Sequence, residues 1–368
     1  MSTNPYTSMV YKVDWLALTI SDELDQNGEE FELLLLESLG YDLADFESVN
    51  GRYFYNSGLT LGGYVNIYYN IEDEERDKKI HRNSSMSRNY VFTGQGCTDL
   101  GKKIDNDWVG LFEALTKLGA KITRIDLALD DFHAVVDFNK MENKLKRGEY
   151  RSSKKSYNII KEADVNGNIK GHTIYIGSRS RSAKGCYFMR CYDKYAQYKN
   201  KNQLPPEEAI GSGKWQRYEI SYTKKKAELV ISKIVEDGQS ISSIFQETAR
   251  DIVEFLVKNK NSKNKFRWKV CKWWEDFLDG AEKAKLGKSD NDVDLGRTLR
   301  WLRLSVVPAL HLMDELFSEK GIDFYEVLKE IEITEYSKKQ KRLRDENKRL
   351  TKAELVPYLE NFKEGRFG

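Results

Sequence analysis

Arg190-Cys191-Tyr192-Asp193-Lys194 places a phenol two residues from a cation on either side. In an extended strand successive side chains alternate between faces, so Arg190, Tyr192 and Lys194 fall together. Cations beside a phenol favour its phenolate and hold an anionic substrate. A phosphodiester is such a substrate, and attack by tyrosine would conserve the broken bond in a phosphotyrosine link. The same residues also read as an ordinary half-buried strand, since the chain has 21 tyrosines. Tyr195 and Tyr187 are rival nucleophiles. Alternation sends Tyr195 off the Arg190/Lys194 face, which ranks it second, ahead of Tyr187.

Two further strands carry acids. In 122–130, Ile125, Leu127 and Leu129 point one way, and Asp126, Ala128 and Asp130 the other. A carboxylate on so apolar a strand needs a partner. Mg²⁺ or Mn²⁺ is one, since both prefer carboxylate oxygens; an ion pair with Arg124 on the same face is another. In 215–222, Arg217, Glu219 and Ser221 share a face. Glu219 could complete a carboxylate metal site with Asp126, or pair across strands with Arg190, Lys194 or Arg124. Asp130 is the third candidate ligand. It lies about 13 Å from Asp126 at about 3.3 Å per residue, so the two share an ion only if the strand kinks.

Cationic segments suggest what the substrate is. The loop 177–185 carries Arg179, Arg181 and Lys184 with no acid, which suits a phosphate backbone or a solvated hairpin tip. Residues 258–272 hold seven cations and no acid, with Phe266 and Trp268 interleaved. Lys265, Arg267 and Lys269 are candidate DNA contacts there, as is Arg217 on the Glu219 strand; a solvated helix with a buried Trp268 stripe is the alternative. The basic run at 338–349 is broken by Asp345 and Glu346 and reads as a solvated helical face.

Other chemistries find little support. None of His81, His133, His172 and His311 forms a His-x-His pair, and none of Cys97, Cys186, Cys191 and Cys271 a Cys-x-x-Cys pair. Gly94-Gln95-Gly96 lacks the spacing of a nucleotide-binding loop. The net charge of +2 does not announce a nucleic-acid binder, so local clustering must carry that reading.

The elements that position these residues point to an α+β fold: a mostly antiparallel, curved sheet with flanking helices, then a helical C-terminal region. Strands are expected at 13–20, 52–55, 59–61, 64–69, 122–130, 170–177, 185–192 and 214–222, and helices at 27–40, 107–118 and from Asp137 to Lys146. From Lys225 the pattern turns helical to the end, with amphipathic segments at 253–290 and 296–318 and a charged helix at 321–363. The expected domains are 1–225, which nicks and joins, and 226–368, helical and partly basic, for DNA binding or assembly. The N-terminus lacks the regions of a signal peptide, apolar runs are short, and cysteine is sparse, so a cytoplasmic protein with no membrane partner is expected.

Taken in order, these segments resemble the replication initiation factor family, which includes rolling-circle plasmid initiators and relaxases of conjugative elements. The likeness rests on Val13-Asp14-Trp15-Leu16, Thr93-Gly94-Gln95-Gly96-Cys97, Thr123 to Asp131, Tyr175-Ile176-Gly177-Ser178-Arg179, Arg190 to Lys194, and Arg217-Tyr218-Glu219. It implies a tyrosine nucleophile at Tyr192, a divalent ion held mainly by Asp126 and Glu219, an origin or transfer-origin hairpin with a single-stranded nick site, and a host helicase as partner. Family initiators can be dimers. Cys191 stands where the family usually has an aliphatic residue. Replication initiator and conjugative relaxase share this chemistry and both stay open. A non-catalytic origin-binding protein would not need Tyr192 beside carboxylates, and a water-using nuclease would leave no adduct.

Overall fold

The computed structural model describes residues 9–21, 36, 39–71, 87–167, 169–178, 187–200, 205–282, 285–286, 295, 299, 302–332, 336, 341, 344, 347–348 and 350–365. The chain divides into two compact units, Met1–Leu33 with Asp42–Asp290, and Leu34–Tyr41 with Asn291–Gly368.

The first unit is built on one large sheet. Its strands are β1 (Met9–Ser21), β2 (Glu47–Asn50), β3 (Ser57–Leu61), β4 (Val65–Tyr69), β5 (Ser87–Phe92), β6 (Lys121–Asp131), β8 (Tyr157–Ala163), β9 (Ile169–Ile176), β10 (Tyr187–Asp193) and β11 (Gln216–Thr223). They run in the order β2-β3-β4-β5-β1-β6-β11-β10-β9-β8, all neighbours antiparallel, and β14 (Lys285–Leu286) adds in parallel to β1. This is the expected α+β architecture. A smaller sheet joins β7 (Tyr150–Arg151), β12 (Glu254–Val257) and β13 (Lys269–Val270).

The strands at the centre are buried on both faces. On one face Ile125, Leu127 and Leu129 meet Tyr218, Ile220, Tyr222, Met189 and Cys191, all fully or nearly buried. Helices α6 (Lys225–Val235) and α7 (Ile241–Ile252) pack against these strands. Tyr11 meets Phe245 edge-on at 5.4 Å, and Tyr218 meets Phe277 of α8 (Lys272–Glu282) at 4.6 Å. Burying each such aromatic stabilises the fold by roughly 1.5–3 kcal/mol. The opposite face carries the charges.

The remaining helices of this unit are α1 (Gly94–Lys103), α2 (Trp108–Lys117), α3 (Phe138–Lys146), α4 (Lys194–Asn200) and α5 (Glu207–Ser212). The starts of α2 and α3 follow the sequence reading, because Asp107 and Asp137 each accept an amide hydrogen bond at the N-terminus. Three expectations fail. The chain is not helical throughout from Lys225, since β12 and β13 pair within 253–290. Residues 52–55 form a turn rather than a strand, with Tyr53 at a positive φ of 64°. The segment 321–363 is not one helix; it holds α10 (Phe324–Glu330) and α11 (Lys352–Glu364). The compact first unit continues past the strand-to-helix change at 225 to Asp290.

In the second unit α9 (Val307–Ser318) leads to α10, with Phe317 and Phe324 stacked at 5.4 Å. Thr351 and Glu354 close a capping box on α11, and Arg303 donates to the carbonyls of Phe362 and Lys363 near its end. Of the helix expected at 27–40, all but residues 36, 39 and 40 lie outside the described residues. Among the described residues no helix is long and apolar enough to cross a membrane.

Candidate active site

The registers of β6, β11 and β10 bring the expected residues into one row. Tyr192 pairs with Arg217, Arg190 with Glu219, Arg217 with Asp130, Glu219 with Ala128, and Ser221 with Asp126. Side chains paired across antiparallel strands share a face. Arg190, Tyr192, Arg217, Glu219, Ser221, Asp126 and Asp130 therefore stand together, around the small Ala128.

Tyr192 lies between two polar atoms. Lys194 Nζ donates to its phenol oxygen at 3.3 Å, and the phenol faces Glu219 Oε2 at 3.5 Å. Arg190 donates to the same Glu219 oxygen at 2.5 Å, and its guanidinium carbon lies 4.6 Å from the Tyr192 ring centroid. Lys194 arrives by a different route from the expected one. β10 ends at Asp193 and Lys194 opens α4, where the Asp193 carboxylate accepts from the Ala196 amide at 2.8 Å. The aspartate in Tyr-Asp-Lys thus turns the chain, and the lysine still reaches the phenol.

The electrostatics correct one expectation. The cations do not hold Tyr192 in its phenolate form. At 5% exposure, burial pushes its pKa up, Glu219 and Asp14 add to the rise, and the lowering by Arg217 and Arg190 does not offset it. Lys194 moves the other way, lowered to about 8, first by burial and then by Arg217. Glu219 is raised to about 7, first by burial, against Arg190, with Asp126 and Asp14 raising it further.

Each carboxylate has an arginine. Arg124 pairs with Asp126, donating from Nε at 2.9 Å, and lies over Trp15 at 4.3 Å. Arg217 makes a two-pronged pair with Asp130 at 2.6 and 2.7 Å and also donates to Asp14. Lys12 adds a contact to Asp130 at 3.4 Å, and Arg217 and Lys12 hold the Asp130 carboxyl well below its ordinary range against the effect of burial. The β6–β11 ladder runs without a register shift from Asp131 to Arg124, so Asp130 is not kinked towards Asp126.

Arg217 is corrected as a DNA contact: it is 2% exposed, and its guanidinium is taken up by Asp130 and Asp14. Tyr195, on α4, packs against the cluster of Phe132, Ala209 and Trp215. The Tyr187 hydroxyl donates to Asp251 at 2.5 Å, with burial raising its pKa.

A divalent cation fits this set in donor chemistry. Burial is the main cause of the high Glu219 carboxyl, with Asp126 and Asp14 adding to it, and hard carboxylate oxygens suit Mg²⁺ or Mn²⁺. Yet no three such side chains among the described residues are grouped to hold an ion as they stand, and each is paired with an arginine. Arg190 and Arg124 are about one-third exposed, whereas Arg217 is buried.

Asp14 escaped the sequence reading. It sits in a β-bulge, where β1 slips against β6 between Val13 and Trp15, so strand alternation misplaces it. Its signal was an acid inside Val13-Asp14-Trp15-Leu16. Beside it, Gly94 opens α1, and any side chain at Gly96 would meet the Tyr64 carbonyl at 2.3 Å. Gly-Gln-Gly is thus a close-packing device against β1 and β4.

Of the expected DNA contacts, Arg179, Arg181 and Lys184 lie outside the described residues. Lys265, Arg267 and Lys269 are exposed at the β12–β13 hairpin, in the smaller sheet.

Three comparisons bear on this arrangement. The profile described as replication initiation factor matches residues 120–331. A Bacillus subtilis (strain 168) protein with the name "Putative DNA relaxase NicK" is 24% identical over 298 residues, which are 80% of this chain and 79% of that one. The solved structure of a rolling circle replication initiator protein from Geobacillus stearothermophilus is similar at a TM-score of 0.62 and 26% identity, covering 77% of this chain and all of the other.

Proposed function

The chain belongs to the replication initiation factor family, and from that premise we propose that it nicks and rejoins one DNA strand through Tyr192. The observation that carries this reading is the Tyr192 oxygen, with Lys194 Nζ at 3.3 Å and Glu219 Oε2 at 3.5 Å, beside buried carboxylates. In the reaction, Tyr192 Oη forms a bond to the scissile phosphorus and the bond to the 3′ oxygen breaks. The DNA keeps a 5′ phosphotyrosine link and a free 3′ hydroxyl, and reversal rejoins the strand.

A phenol with a raised pKa needs a base. Lys194, lowered to about 8, is partly neutral near neutral pH, in the range where a general base works best. Neutral Lys194 takes the phenol proton as the oxygen attacks, and the resulting ammonium gives a proton to the departing 3′ oxygen. Arg190, against the ring and about one-third exposed, would hold a phosphate oxygen. Asp126 and Glu219 would hold a divalent cation, which when bound stabilises charge on the phosphate oxygens. Asp130, kept by Arg217 and Lys12, serves the scaffold.

This reading covers the rolling-circle initiator and, with the same chemistry, the conjugative relaxase. DNA is the partner the family implies; a host helicase and a second copy are proposed with it. The test is a labelled nick-site oligonucleotide with Mg²⁺ or Mn²⁺, resolved on a denaturing gel. Wild type should give a covalent band and Tyr192→Phe none. Cleavage without an adduct would instead indicate a water-using nuclease, and binding without cleavage an origin-binding protein.

A further inference from the structure

The hairpin from β12 to β13 carries Lys258, Lys260, Lys263, Lys265, Arg267 and Lys269, all exposed, and no acid across 258–269. Among them stands Phe266, 82% exposed. A phenylalanine this open gains nothing from burial where it stands.

The turn that presents it is pinned. Asn259 Oδ1 accepts from the Asn261 amide, Ser262 Oγ from the Asn264 amide, and Asn264 Oδ1 from the Phe266 amide at 3.0 Å. Trp268 Nε1 donates to the Ser262 carbonyl at 2.7 Å, tying the two sides of the turn. Arg151 of β7 pairs with Glu254 and reaches the carbonyls of Lys265 and Phe266 at 3.4 Å. Its guanidinium carbon lies 5.8 Å from the Phe266 ring centroid. So the ring stands on a turn held by side chain to backbone bonds, and little ordering entropy remains to be lost on binding.

We propose that Phe266 stacks on an unpaired base of the DNA while the surrounding cations hold the flanking phosphates. An aromatic face accepts any base, and cations beside it follow the backbone. The same charges argue against a self-contact. A twofold interface would set this turn, with six cations over 258–269, against its own copy. The proposal rests on the DNA-handling reading above and adds to it a residue that distinguishes unpaired from paired DNA.

The experiment uses the full chain and a single-stranded oligonucleotide carrying 2-aminopurine, with the fully paired duplex of the same sequence for comparison. Phe266→Ala should weaken single-strand binding on the order of tenfold or more, leave its salt dependence unchanged, and abolish the quenching of 2-aminopurine. Duplex affinity should change little, and Phe266→Trp should restore binding and quenching. Lys265→Gln should instead reduce the salt slope. Equal loss on single strand and duplex, or unchanged affinity and quenching in Phe266→Ala, overturns the proposal. So does a change of oligomeric state in sedimentation with DNA binding intact, since that makes Phe266 a protein contact. Wild type that binds neither DNA overturns the proposal and the nicking reading together, whereas a normal wild type with an unaffected Phe266→Ala overturns the stacking alone.

Discussion

Two antiparallel strand pairs of the first unit carry cations, and they use them in opposite ways. Between β10 and β11 the cations are matched with acids: the one-third exposed Arg190 with buried Glu219, and buried Arg217 with Asp130 and Asp14. At the β12–β13 hairpin they are exposed, of one sign, and set around an open aromatic ring. Beside the first set, burial moves the pKa of Tyr192 up and that of Lys194 down. Exposure leaves the second set for long-range attraction, which salt screens.

The largest expected effect lies at Lys194, whose amine meets the Tyr192 oxygen beside the first set. Lys194→Met should slow adduct formation by roughly 10²–10⁴-fold, as loss of a general base does. In wild type the rate should climb as pH rises through about 8, where Lys194 loses its proton, and level off above it. The variant should lack that rise. A rise centred near 7 that survives in Lys194→Met would pass the base role to Glu219.

Next comes the scaffold charge. Arg217→Met leaves Asp130 and Asp14 buried without their guanidinium and should cost about 3–5 kcal/mol in urea unfolding. A cost below about 1 kcal/mol would mean that water reaches these carboxylates, and the contrast between the two regions would blur.

The smallest effect belongs to the hairpin. Lys265→Gln, Arg267→Gln and Lys269→Gln should each lower the slope of log affinity against log salt by roughly 0.7–0.9, with unchanged single-turnover cleavage at saturating DNA. Unaltered slopes would take the hairpin out of the DNA interface.

How much of this was legible depends on whether a residue's position followed from local alternation. Ile125, Leu127 and Leu129 against Asp126 and Asp130 could be read from period two alone, as could Arg190 beside Tyr192 and Glu219 beside Arg217. Asp107 and Asp137 marked helix starts by their capping chemistry. Asp14 could not be read, because a bulge breaks the period there. Nor could α1, whose glycines are poor helix formers; packing of Gly96 against the Tyr64 carbonyl favours them over propensity. The Glu254–Val257 strand was hidden because its partners, β7 and β13, are only two residues long. The phenol's shift depended on burial, which the spacing of cations does not reveal.

The most direct measurement is to trap the covalent product with an oligonucleotide, digest it, and locate the modified tyrosine by tandem mass spectrometry. The nucleotide should lie on Tyr192 through a 5′ phosphate. A nucleotide on Tyr195 or Tyr187, or cleaved DNA with no modified tyrosine, would contradict the assignment.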